Sequence, residues 1–151
     1  MFELAVFENC PFCHRCMLVL REKGATFTTV LIDRSQKAES KHLLSPYMRV
    51  PVLKHDGQPV YESSIINEYL DEMLPTPPLL AREPAQKALA RCWIDFSNTR
   101  VMPGYFNLLK ERNREVRAPL QNTLSGHLQF IEGRGAGQDQ RRRSIPPIRV
   151  R

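Results

Sequence analysis

The chain predicts an α/β fold: a four-stranded mixed sheet with flanking helices, followed by an incomplete all-α domain. Two patterns predict it. Up to about residue 73 the apolar positions follow the order strand, helix, strand, helix, hairpin, helix, and two helical crossovers plus one hairpin make a mixed sheet. From residue 84 to about 131 the apolar positions keep helical spacing. A content of 42% hydrophobic and 25% charged residues over 151 positions fits a water-soluble globular chain.

The elements follow in order. "ELAVF" (residues 3 to 7) is a short apolar run that reads as a buried strand. After Asn9, Pro11 suits the first turn of a helix, where its missing N–H costs nothing. Cys13, Met17 and Leu20 keep helical spacing, and Lys23-Gly24 ends the run. "TFTTVLID" (26 to 33), β-branched and aromatic, predicts a second strand. Residues 36 to 44 predict a short polar helix ending by Pro46. Strands over 51 to 54 and 58 to 61 form a hairpin through Asp56-Gly57. Ser63 then caps a helix with Ile65, Ile66, Tyr69, Leu70 and Met73 on its inner side. "PTPP" (75 to 78) is a stiff linker and the expected domain boundary. Residues 84 to about 111 read as helical, with Pro103-Gly104 interrupting, and a further helix spans 115 to 131. The expected domains are therefore 1–78, 84–133 and a basic tail, 134–151.

Charge and hydropathy exclude several function classes. No run approaches the roughly 18 apolar residues of a membrane span, and the first ten residues carry no secretory pattern. A cytoplasmic protein is expected. The net charge of +6 suggests nucleic acid until it is located. Residues 1 to 133 hold 16 Lys and Arg against 15 Asp and Glu, whereas residues 134 to 151 hold six Arg and one Asp. The excess lies in a Gly/Arg/Pro-rich tail too poor in apolar residues to order itself. Nucleic acid is accordingly not an expected partner.

Three of the four cysteines stand within "CPFCHRC", residues 10 to 16. Reducing conditions argue against a disulfide framework and for catalytic or metal chemistry. Cys10 precedes the predicted helix, where unpaired N–H groups and the helix dipole favour a thiolate and lower the pKa toward roughly 3.5–7.5. Cys13, one turn on, is spaced to resolve a mixed disulfide formed on Cys10. Cys16 falls elsewhere around the helix and reads as a small core residue. Metal is the rival use, but His14, His42, His55 and His127 supply no zinc-type pair, and Cys92 is too distant for an iron–sulfur run. No metal is expected.

"CPFC" after the first strand, "RVPVL" (49 to 53) and "YESSIINEYLDEMLP" (61 to 75) together resemble the glutathione transferase superfamily. The likeness is to its cysteine-type, omega-like members and to the related stringent starvation protein A, over residues 1 to about 130. The resemblance implies a thioredoxin-like first domain with glutathione as co-substrate. It implies that Cys10 is the cysteine forming a mixed disulfide with glutathione. Val50-Pro51 matches a dipeptide with a cis proline, whose backbone pairs with the cysteinyl part of glutathione as a one-residue strand. Glu62-Ser63 matches the pair that holds the γ-glutamyl end, in keeping with a helix N-terminus that attracts a carboxylate. Lys37 aligns with a lysine that contacts glutathione.

The expected function is glutathione-dependent thiol transfer to a small electrophile, a disulfide or a dehydroascorbate-like substrate, with a homodimer as a further expectation. The alternative is a non-catalytic, transcription-associated binder like stringent starvation protein A, which lacks the cysteine. A dithiol reductase independent of glutathione is a third reading. The family's helical domain runs further than the helical residues here, its Ser/Thr-x-x-Asp capping signal is absent, and the tail from Arg134 is unlike any family helix. A truncated or frame-shifted end is therefore expected, with Leu89, Trp93, Phe96, Phe106 and Leu109 short of partners and the second-substrate pocket incomplete.

Overall fold

The structure, a computed structural model, describes residues 1–136. The tail expected from residue 134 lies, from 137 onward, outside the described residues. Two compact units divide the chain, Met1–Lys87 and a second from Ala88.

The first unit is the expected mixed sheet with flanking helices, in the thioredoxin-like arrangement. Its elements are β1 (Phe2–Val6), α1 (Pro11–Glu22), β2 (Phe27–Leu31), β3 (Val52–His55), β4 (Gln58–Tyr61) and α2 (Ser63–Met73). The strand order is β2-β1-β3-β4. β1 and β2 run parallel with Val6 opposite Leu31, while β1–β3 and β3–β4 are antiparallel. The alternation of a strand separates two apolar layers. Phe2, Leu4 and Val6 face Cys13, Cys16 and Leu20 of α1 and Ile66 and Leu70 of α2. Ala5 and Val52 face the other way, against Ile32 and Leu44.

That second face differs from expectation. Residues 36 to 44 form no α-helix; the segment holds two single 3-10 turns, Arg34–Gln36 and Lys41–Leu43. The physical reason is local. Asp33 caps the first turn through Ser35, and the polar run that follows has only Leu43 and Leu44 to bury, too few for an apolar stripe. α2 also departs in detail. Ser63 is its first helical residue rather than its cap; the cap is Glu62 at φ +69°, with no side-chain capping bond. Ile66 and Leu70 are buried as expected, but Ile65 and Met73 are about half exposed, at 56% and 47%.

One buried ion pair fixes the far end of α1. Lys23 ends that helix, with Gly24 beyond it at φ +63°, and its side chain is fully buried. The ammonium pairs with Asp71 on α2 and donates to the Pro77 carbonyl. Asp71 also accepts the N–H groups of Leu79 and Leu80 at 2.8 and 3.1 Å. Burial pushes the Asp71 carboxyl up, and the Lys23 and main-chain bonds outweigh it, so its pKa is lowered.

The second unit holds most of α3 (Pro84–Phe96), a π-type turn at Ser97–Val101, α4 (Met102–Lys110) and α5 (Arg114–Ala136). The interruption expected at Pro103-Gly104 takes the form of that widened turn. Pro103 is the second residue of α4, which continues directly from that turn and runs to Lys110. Gly104 packs beside Leu124 of α5, where a Cβ would lie 3.4 Å from its Cδ1, an ordinary van der Waals contact. Trp93 and Phe96 stack against Phe130, with centroids 5.9 and 5.2 Å apart.

The buried pair makes an asymmetric prediction. Asp71→Ala strands the Lys23 ammonium and should cost about 3–5 kcal/mol. Lys23→Met leaves Asp71 its two main-chain donors and should cost roughly 1–2 kcal/mol. Urea unfolding midpoints of the two variants compare them directly; equal losses would show that the charge is not what matters.

Candidate active site

The site forms where β1 meets α1. The chain leaves β1 through Phe7, Glu8 and Asn9, and Asn9 takes φ +56°, a conformation that asparagine tolerates better than most residues. Cys10 follows in extended geometry as the N-cap of α1, and its Sγ accepts the Cys13 N–H at 3.4 Å. The Cys10 thiol is pulled down to about 6, chiefly by a hydrogen bond from the Cys13 side chain; burial opposes this, and the N–H groups of Cys13 and Phe12 and the charge of Arg34 assist. At neutral pH Cys10 is therefore a thiolate. It is partly exposed, so a reagent can reach it.

Cys13 is the other half of this arrangement. It is fully buried, and donating to Cys10, together with burial, raises its pKa. It keeps its own proton and shares it with the Cys10 sulfur through that hydrogen bond. Cys16, also fully buried, donates weakly to the Ser63 carbonyl at 3.5 Å, and burial pushes its thiol up to about 12. Cys92 is exposed on α3. Among the described residues no group of three His, Cys, Asp or Glu is placed to hold a metal ion.

The remaining candidate residues gather around the N-terminus of α2. The Val50–Pro51 peptide is cis, and Pro51 is buried. Val50 and Cys10 both pack against the same apolar cluster. Glu62 is exposed, and its φ of +69° is uncommon for a residue with a long side chain. A backbone held there points to a positional requirement. Ser63 is buried just behind it. Lys37 is half-buried at the end of the first 3-10 turn, and among the described residues no hydrogen bond or ion pair joins it to the others.

Arg15 is the residue that sequence reading missed. From the second turn of α1 its Nη2 donates to Ser63 Oγ at 2.5 Å, and its guanidinium lies 5.2 Å from the Phe12 ring centroid. Burial lowers its pKa, and the neighbouring Cys16, Glu62 and Cys10 side chains act in the opposite direction. Arg15 thus ties the cysteine helix to the head of α2. Its partner stands 48 positions away, so no local pattern signals it.

The thioredoxin-like domain thus carries a cysteine capping its first helix, a cis Val-Pro peptide and a second helix head at Glu62-Ser63. Residues 9–73 match the family described as "Glutathione S-transferase, N-terminal domain". A probable glutathione transferase of Aplysia californica is 40% identical over 58% of this chain and 96% of its own length. Glutathione S-transferase omega-1 of Sus scrofa is 33% identical over 82% of this chain and 51% of its own. Among solved structures, rice GST1 in complex with glutathione superposes with a TM-score of 0.74 at 26% identity, over 87% of this chain and 61% of that one. The chain belongs to the glutathione transferase family. It spans about half the length of many of the curated relatives it matches, 45% of one Nicotiana tabacum protein, for instance.

The state of Cys10 is open to direct measurement. At pH 7 a thiol of pKa about 6 holds about 30 times more thiolate than a free cysteine of about 8.5, but is about 13 times less nucleophilic at a Brønsted slope of about 0.45. The net advantage is about twofold at pH 7 and about twelvefold at pH 6. Alkylation of Cys10 by iodoacetamide, followed by peptide mass spectrometry, should reach half its plateau near pH 6. A midpoint above pH 8 would show that the thiolate is not stabilised.

Proposed function

We propose that this chain carries out glutathione-dependent thiol transfer, with Cys10 as the nucleophile. The observation that supports it most is the Cys10 thiolate at the head of α1 in a chain of the glutathione transferase family. The thiolate attacks one sulfur of glutathione disulfide or of a glutathione-capped substrate. The Cys10–S bond forms as the S–S bond breaks, and the departing sulfur leaves with the electron pair as a thiolate. A second glutathione thiolate then attacks the mixed disulfide and restores Cys10.

The other candidate residues supply binding. The Val50 backbone pairs with the cysteinyl unit of glutathione, and Lys37 contacts the tripeptide. Ser63 accepts from Arg15, so its own O–H is directed to a further acceptor such as the γ-glutamyl carboxylate. Glu62, exposed at the same helix head, meets the ligand's ammonium group. Cys13 is a poor competitor for the resolving step while buried and protonated, which favours glutathione over an internal disulfide. The second substrate is a disulfide, a dehydroascorbate-like compound or a small electrophile. No helix among the described residues is long and apolar enough to cross a membrane.

Incubation with glutathione disulfide should place one glutathionyl group on Cys10 and none on Cys16 or Cys92, and Cys10→Ser should lose it. Using Cys13→Ser alongside prevents an internal disulfide from erasing the adduct. No adduct on a folded Cys13→Ser chain would move the reading to a non-catalytic binding protein. In the same assay Arg15→Met should raise the glutathione concentration for half-saturation about tenfold, the equivalent of one charge-assisted hydrogen bond. An unchanged half-saturation would detach Arg15 from the ligand end.

A further inference from the structure

The parallel pairing of β1 and β2 brings one more charged residue to the segment that leads into the thiolate. Ile32 continues the ladder beyond Leu31 by donating to the Val6 carbonyl at 2.8 Å, so the segments leaving the two strands run out side by side. On one of them, Phe7 reaches the thiol pair through its main chain, which hydrogen-bonds the Cys13 sulfur. On the other, Arg34 lies over the Phe7 ring, its guanidinium carbon 4.9 Å from the centroid. Arg34 is exposed, so its charge also faces solvent. The Cys10 thiolate registers that charge.

The acids in these two segments, residues 7–10 and 32–37, are Glu8 and Asp33; the bases are Arg34 and Lys37. By count they cancel, and position decides. Asp33 is turned onto Ser35, accepting its N–H at 2.8 Å and its hydroxyl at 2.7 Å. Arg34 is instead held over Phe7, where a guanidinium packs well against an aromatic face. The arrangement sets a cation on the segment that leads into the nucleophile.

We propose that Arg34 makes Cys10 selective for disulfides that carry a carboxylate or another anion close to the scissile bond. This rests on reading Cys10 as the nucleophile and adds the class of its disulfide partner. In the reaction Cys10–S⁻ attacks X–S–S–X, giving Cys10–S–S–X and X–S⁻; Cys10 is oxidised and the departing sulfur reduced. Arg34 attracts the incoming anion and offsets repulsion between it and the thiolate. Disulfides of acidic thiols and glutathione-capped acidic peptides fit this chemistry, and cationic disulfides do not.

The test uses three small disulfides: the dianion 5,5′-dithiobis(2-nitrobenzoate), neutral 2,2′-dithiodipyridine and dicationic cystamine. The chain carries Cys92→Ser, removing the exposed second thiol, and rates are read at pH 8, where Cys10 is ionised throughout. Arg34→Gln should lower the dianion-to-dication rate ratio about tenfold at low salt, with the difference shrinking as salt screens it. The neutral probe should change little, and Arg34→Lys should restore most of the ratio. An unchanged ratio in Arg34→Gln, or no recovery in Arg34→Lys, overturns the proposal. A wild-type chain that reacts with these probes yet takes no glutathionyl group fails the glutathione reading alone.

Discussion

The site depends on a sulfur standing where a helix usually takes a capping oxygen. N-cap positions favour Ser, Thr, Asp and Asn because their oxygens accept the orphan N–H groups of the first turn. A neutral thiol does this poorly, whereas a thiolate does it well. Cys10 therefore couples helix capping to ionisation: the cap is best when the sulfur is charged, and the N–H groups and dipole lower its pKa in return. With a folded pKa of about 6 against an ordinary value of 9.0, the contribution to stability is full above the unfolded pKa. It is lost as the pH falls through the folded one. A mixed disulfide removes the same charge. The reduced state is thus the well-capped state, and a sulfur so stabilised as a thiolate is a good leaving group when that disulfide is attacked.

The head of α2 adds a second constraint. Its first N–H groups favour an anion in the same way. Arg15 reaches across from α1 to Ser63, so the cysteine helix and the second helix head are linked by a charged hydrogen bond. Cys16 joins the same contact from within the core through the Ser63 carbonyl. Two helix heads that each favour negative charge, set on one face of one sheet, suit a ligand with a thiol and a carboxylate at different points along its length. The positive φ of Glu62 belongs to this arrangement, since it is where the chain turns from β4 into that helix.

Much of the fold was legible because it rests on short-range signals. Pro11 places the head of α1, and with it Cys10 as the cap. Asp56-Gly57 places the hairpin, both residues taking positive φ. Errors arose where longer-range packing decides. Ile65 has the same apolar character as Ile66, yet only Ile66 is buried, because adjacent helix positions point about 100° apart and a single stripe packs on the sheet. Lys23 reads only as part of a helix-ending signal, and its burial depends on Asp71 and on a linker carbonyl 54 positions away. The cis state of Val50-Pro51 was visible only through family resemblance, since composition carries no mark of it.

Three cysteines on one short stretch divide into one ionised and two protonated thiols by position. Cys13 and Cys16 are three residues apart within α1, so they share a face, and that face packs on the sheet and α2. Both are consequently buried and protonated. Cys10 has the same spacing from Cys13 but lies outside the helix, where the extended backbone of a cap turns its sulfur back toward the first N–H groups. The spacing alone therefore does not make a redox pair; the position of the helix start does. A helix beginning one turn earlier would take Cys10 inside it, where the N–H groups of Phe12 and Cys13 would be bonded to main-chain carbonyls and no longer free to hold the sulfur. Pro11 fixes that start, and so determines which of the three thiols is ionised.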